Sequence, residues 1–225
     1  MEFTGNRIPA SGKGHKFAYL LASLSLLMLA FPFLESATVG RLIFSLLLAL
    51  ILITSILAVT ETHSQLAIAL AIGVPAIALD LARYLDPNPL WYFGNQVFAI
   101  AFFLFTAFTL FMHILRKERV THDEVFGAVS VYLLVALAFA SLFLIADRVE
   151  PGSFVKTLNT GTTQGMTYSD CVYYSFGSIT TAGTGDIVEI GPFVRALTMG
   201  ESVLGLFYVA FVISKLVSPL GNTKV

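Results

Sequence analysis

The chain has 225 residues, 56% of them hydrophobic and 12% charged, with a formal net charge of -1. An ordinary soluble domain is roughly 45–50% apolar and about 25% charged, so that class is excluded, and a chain this apolar does not stay disordered. The small net charge gives no footprint for nucleic acid, and the single cysteine, Cys171, excludes an intrachain disulfide and a multi-cysteine metal site.

Apolar runs of about 18 or more residues mark membrane-spanning helices. The first predicted span is 17–34 and carries no charge. A signal peptide is the rival reading of 1–34, but the apolar stretch is long and no small-x-small cleavage site precedes Glu35. The second span, 41–60, is charged only at Arg41. The third, 65–85, carries Asp80 and Arg83, whose spacing on one helix face predicts a pair. The fourth, 91–115, is dense in phenylalanine, and the fifth is 125–146. A polar stretch, 147–167, separates these from 168–190, which is too short and glycine-rich for a clean span. The last run is 191–218.

With the N-terminus in the cytoplasm, six spans place eight Lys and Arg residues inside (Arg7, Lys13, Lys16, Arg116, Lys117, Arg119, Lys215, Lys224) and five outside. That bias puts both termini in the cytoplasm of a multi-pass cell-membrane protein. The predicted organisation is a tail at 1–16, a four-helix membrane domain at 17–115, a linker at 116–124, a second membrane domain holding the re-entrant segment at 125–218 and a tail at 219–225. The predicted fold class is an all-α membrane protein with six spans and one re-entrant segment. No repeat or low-complexity tract is visible.

The re-entrant segment carries the chemistry, because irregular backbone at membrane depth must be buried in protein or line water. Thr167, Ser169 and Asp170 are candidate caps of a short helix reaching about Thr180. Then come Thr181, Ala182, Gly183, Thr184, Gly185 and Asp186. A strand alternating left- and right-handed residues turns its carbonyls to one side, and glycine at alternate positions permits this. Four such strands about an axis would stack rings of carbonyl oxygens able to replace a cation's water shell, with the negative C-terminal end of the preceding helix favouring that cation.

On these residues the chain resembles the potassium channel family, whose filter reads T-V-G-Y-G-D, often T-T-V-G-Y-G-D, after a short pore helix. Tyr173 and Tyr174 stand where family members place pore-helix aromatics, and 196–217 is similar to prokaryotic inner helices, with Gly205 at the hinge-glycine position. The resemblance covers about 122–218. It implies a homotetramer in the lipid bilayer, potassium held at Thr181, Ala182, Gly183 and Thr184 (with Gly185 completing the filter), Asp186 at the outer mouth, and support from Tyr173, Tyr174, Ser178 and Thr180. Asp186 could either concentrate cations or bond its own loop. Ala182 replaces the usual valine, and Thr184 the usual tyrosine. Thr184 keeps a carbonyl but loses the ring, so the cuff with Tyr173 and Tyr174 is expected to be looser. A weakly selective sodium and potassium channel is the alternative. Gly177 stands where some members keep a glutamate behind the filter.

The fourth span has no Arg or Lys between Tyr92 and Leu115, so little intrinsic voltage sensing is expected. The seven residues after Ser218 leave no soluble ligand domain in this chain. Gating candidates are therefore Gly200 and Gly205, as bends or packing residues; Glu201, bonded to a pore-helix hydroxyl such as Ser178; and Ile213, with Leu216 and Val217, as an apolar constriction. Arg195 is expected to anchor at the outer interface, and Cys171 to pack. The histidines make no metal motif, and no convergent nucleophile or acid–base cluster suggests an enzyme. Nor is there the second re-entrant copy typical of many transporters. No cofactor is called for beyond the permeant ion.

Overall fold

The computed structural model describes residues 15–34, 38–59, 63–85, 89–117, 121–157 and 165–217. The predicted tails and the middle of the polar stretch fall outside these, as do the side chains of Arg83, Leu216 and Val217. The chain divides into two compact units, Met1–Leu134 and Val135–Val225, with the division falling inside one helix.

The first unit holds α1 (Lys16–Leu34), α2 (Thr38–Val59), α3 (His63–Leu85), α4 (Pro89–Arg116) and the first part of α5 (His122–Val149). α1 pairs with α2, and α3 with α4. Apolar interdigitation dominates: Leu20, Leu24, Leu27, Ile51 and Leu110 are fully buried. Polar bonds also cross between helices. The Ser23 and Thr54 hydroxyls meet at 3.0 Å, and Asn95 Nδ2 donates to the Ala76 carbonyl at 2.8 Å. The phenylalanines of α4 serve both sides: Phe102 and Phe103 are buried, whereas Phe108 is exposed.

The second unit holds the rest of α5, β1 (Phe154–Lys156), α6 (Tyr168–Ile179), β2 (Ile187–Glu189) and α7 (Pro192–Val217). β1 and β2 form an antiparallel ribbon with Phe154 opposite Glu189, Val155 opposite Val188 and Lys156 opposite Ile187. The sequence reading has no strands here. Ala136, Ala138 and Ala140 of α5 are fully buried. A triangle of rings forms the core: Phe143 meets Phe154 at 5.9 Å and Tyr174 at 5.1 Å, while Phe154 meets Tyr174 at 5.1 Å, all edge to face.

Among the described residues four helices are long and apolar enough to cross a membrane: His63–Ala82, Leu90–Arg116, His122–Val149 and Pro192–Lys215. The described apolar stretches of α1 and α2, Lys16–Ala30 and Leu46–Ala58, are shorter. α7, at 26 residues, is about 39 Å long, more than the ~30 Å apolar core of a bilayer. α6, at 12 residues, is about 18 Å long and cannot span.

Candidate functional site

The site is the loop between α6 and β2. α6 starts where the sequence places it. Thr167 is the N-cap, its hydroxyl accepting from the Asp170 N–H at 3.2 Å, while the Asp170 carboxylate accepts from the Thr167 N–H at 2.9 Å. This reciprocal box satisfies two orphan donors of the first turn. Lys156 of β1 forms an ion pair with Asp170, both side chains partly buried. At the other end Thr180 caps α6, its hydroxyl donating to the Phe176 carbonyl at 2.6 Å.

Beyond Thr180 the backbone alternates. Thr181, Gly183 and Gly185 have φ of 58°, 75° and 75°, and Ala182 and Thr184 between them do not enter the left-handed region. A threonine there is uncommon; the two glycines adopt it freely. No Cβ clash enforces glycine at 183 or 185, since the space around each is open; the requirement lies in the backbone conformation. Thr181, Ala182, Gly183 and Gly185 are exposed in the single chain and Thr184 is half-buried. The loop is held to α6 by the Gly183 N–H donating to the Gly177 carbonyl at 3.0 Å.

The structure seats Thr184 differently from a ring-bearing residue. Its hydroxyl donates to the Ile187 carbonyl at 3.0 Å, and its carbonyl accepts from the Tyr173 hydroxyl at 3.3 Å. Its methyl lies over Gly177, where a Cβ would fall 2.8 Å away. Thr184 and Gly177 are thus complementary, although the sequence alone shows them only as two separate departures from the family pattern.

The expected cuff of two tyrosines needs correction. Tyr173 reaches Thr184, but Tyr174 turns away, donating to Glu189 Oε2 at 2.7 Å and meeting the Thr198 hydroxyl at 2.9 Å. Adjacent residues on a helix do not share a face. Tyr174 instead joins α6 to β2 and α7. Arg195 Nε donates to the Glu189 carbonyl at 3.1 Å, so that side chain has a protein partner at this corner.

A second correction concerns Glu201. Its partner is Ser175, not Ser178; the Ser178 hydroxyl donates to the Tyr174 carbonyl of its own helix at 2.9 Å. The Ser178 carbonyl accepts from the Ser202 hydroxyl at 2.9 Å. Gly205 lies so close to α6 that a Cβ would strike the Ile179 carbonyl oxygen, and it would sit 2.8 Å from Ile179 Cγ1. Glu201, Ser202 and Gly205 therefore form the face of α7 that meets α6. α7 is continuous through Gly205, which serves packing here. At Gly200 a Cβ would meet nothing within 4 Å. Ile213 is exposed.

Asp186 binds through its backbone: its carbonyl accepts from the Thr157 N–H at 2.8 Å and the Thr157 hydroxyl at 3.2 Å. Its Oδ1 is buried with no hydrogen-bond partner among the described residues. Cys171 is fully buried. No group of His, Cys, Asp or Glu suited to hold a metal ion occurs among the described residues.

Several contributors escape sequence reasoning. Ser175, Ser202 and Glu189 act through partners distant in the chain, and Asp147 Oδ2 accepts from the Met166 N–H at 2.7 Å, closing the polar stretch. The isolated acid in a membrane helix, Glu201, is the one signal that calls for a buried donor. A family model described as an ion channel matches residues 129–221, the stretch holding most of α5 and all of α6, the loop and α7. No curated protein and no solved structure matches. The C-terminal stretch is thus similar to ion channel domains, and the apolar helices make the chain a membrane protein.

Proposed function

We propose that the chain is one subunit of a homotetrameric, potassium-type cation channel that conducts passively through the backbone carbonyls of residues 181–185. The observation that carries this reading is the alternation of left-handed backbone at Thr181, Gly183 and Gly185, exposed at the end of a capped helix too short to span. One strand cannot surround an ion, and four around an axis can replace its hydration shell. The C-terminal end of α6 adds partial negative charge where a cation would sit. Thr181, Ala182, Gly183 and Thr184 are the proposed ion-binding positions, with Asp186 at the outer mouth. The Thr184 carbonyl accepts from Tyr173 and keeps a second lone pair for the ion.

Six spans with both termini in the cytoplasm complete this reading; the positive-inside balance of Lys and Arg supports it. Strong voltage dependence is not expected, since α4 carries no Arg or Lys before Arg116.

A second reading, weak selectivity between sodium and potassium, is favoured by Thr184. Its hydroxyl bond to Ile187 replaces the packing of a ring, and a less stiff loop discriminates less if cavity size governs selectivity. The test is potassium efflux from liposomes holding the purified protein, with Gly183→Ala as control. A Cβ at φ of 75° costs roughly 1–2 kcal/mol in each chain. Gly183→Ala is expected to assemble as a tetramer and to lose at least about tenfold in flux. Equal flux from both proteins contradicts a backbone filter.

A further inference from the structure

Glu201 is fully buried in α7, and its surroundings fix its protonation by counting hydrogens. The Ser175 Oγ lies within hydrogen-bond reach of two oxygens, the Ala136 carbonyl at 2.7 Å and Glu201 Oε1. A hydroxyl carries one proton and a backbone carbonyl none to give. If Glu201 were ionised, Ser175 could satisfy only one of the two acceptors. Either the carboxylate or the Ala136 carbonyl would then face the hydroxyl oxygen with no proton between them. The other carboxyl oxygen, Oε2, is buried and has no donor among the described residues. A buried charge without donors is strongly disfavoured. A carboxylic acid resolves both problems: Oε1–H donates to Ser175, Ser175 donates to Ala136, and Oε2 becomes an uncharged carbonyl oxygen.

We propose that Glu201 is a neutral carboxylic acid whose O–H, donated to Ser175, fixes α7 and α5 to α6, making it a positioning residue for the ion path. The relay joins three helices at the segment that carries the loop, next to the Ser202–Ser178 bond and the Gly205–Ile179 contact on the same face of α7. It acts through α6, whose Ser175 it bonds and whose C-terminal end carries the loop. The positioning role rests on the channel reading; the protonation state does not.

The experiment has two arms. In the first, infrared spectra of the purified protein at neutral pH are compared with those of Glu201→Gln. The difference is expected to contain a protonated-carboxyl stretching band present only in the wild type; a carboxylate band in its place overturns the proposal. In the second, liposome flux is compared for Glu201→Gln, whose amide keeps a donor, and Glu201→Met, which fills similar volume with none. Glu201→Gln is expected to stay within about twofold of wild type and Glu201→Met to lose about tenfold, the equivalent of one buried hydrogen bond. Equal loss in both variants, or no loss in Glu201→Met, overturns the positioning role. A wild type without flux contradicts the channel reading and leaves the infrared arm to decide the proton.

Discussion

The four-helix unit and the C-terminal unit are both built from apolar helices, yet they are joined by different means. In the first, side chains interlock: Leu20, Leu24, Ile51 and Leu110 fill the interior, and hydrogen bonds such as Ser23–Thr54 and Asn95–Ala76 cross between helices. In the second, α6 packs the Tyr174 ring against Phe143 and Phe154 and also meets its neighbours through backbone and polar groups. Ser175 bonds the Ala136 carbonyl, Ser202 bonds the Ser178 carbonyl, Tyr174 bonds Glu189 and Thr198, and Gly205 lies against the Ile179 carbonyl. Side chains can shift to accommodate a new methyl group; a backbone carbonyl at the end of a capped helix cannot. The difference shows where the molecule requires fixed geometry and where it requires only apolar volume.

The largest test of that contrast pairs two glycines. At Gly205 an added Cβ strikes the Ile179 backbone oxygen, whereas at Gly73 it strikes the tip of the Leu52 side chain. Gly205→Ala is expected to cost about 2–3 kcal/mol and to abolish flux, while Gly73→Ala costs less than about 1 kcal/mol as Leu52 changes rotamer. Thermal unfolding in detergent and liposome flux measure both. Equal losses at the two positions break the comparison.

A smaller effect is expected inside the loop. Gly177→Ala presses on the Thr184 methyl group and is expected to lower flux about tenfold, near the 1–3 kcal/mol of an overpacked site. Thr184→Ser removes the methyl group, keeps the hydroxyl bond to Ile187 and is expected to restore most of that loss. A double-mutant cycle measures the coupling; simple additivity contradicts the Gly177–Thr184 complementarity.

The smallest is at the start of α6. Thr167→Ala removes one half of the capping box and is expected to cost about 1 kcal/mol, seen as a lowered melting temperature with ion preference unchanged. A changed preference would show that the helix start, and not only its end, sets the loop.

Much of this was legible in the sequence because the signals are local. Hydropathy marks the long helices, Thr167 and Asp170 mark the start of α6, and Gly183 and Gly185 mark the alternating backbone. The rest depends on partners far apart in the chain. The β1–β2 ribbon pairs two three-residue strands with 30 residues between them, too short for a periodic signal of their own. Whether Glu201 meets Ser175 or Ser178 depends on the rotation of α7 about its axis, which the even hydrophobicity of that helix leaves open. That Tyr173 and Tyr174 part company follows from helix geometry alone; the family resemblance obscured it by treating them as a pair.

The central claim is that residues 181–185 select potassium through backbone carbonyls although Thr184 replaces a ring. The most direct measurement is the reversal potential of the reconstituted wild type with potassium on one side of the bilayer and sodium on the other. A potential displaced strongly toward the potassium equilibrium value is predicted. A reversal near zero, unmoved when Thr184→Tyr is measured in the same way, would contradict the claim.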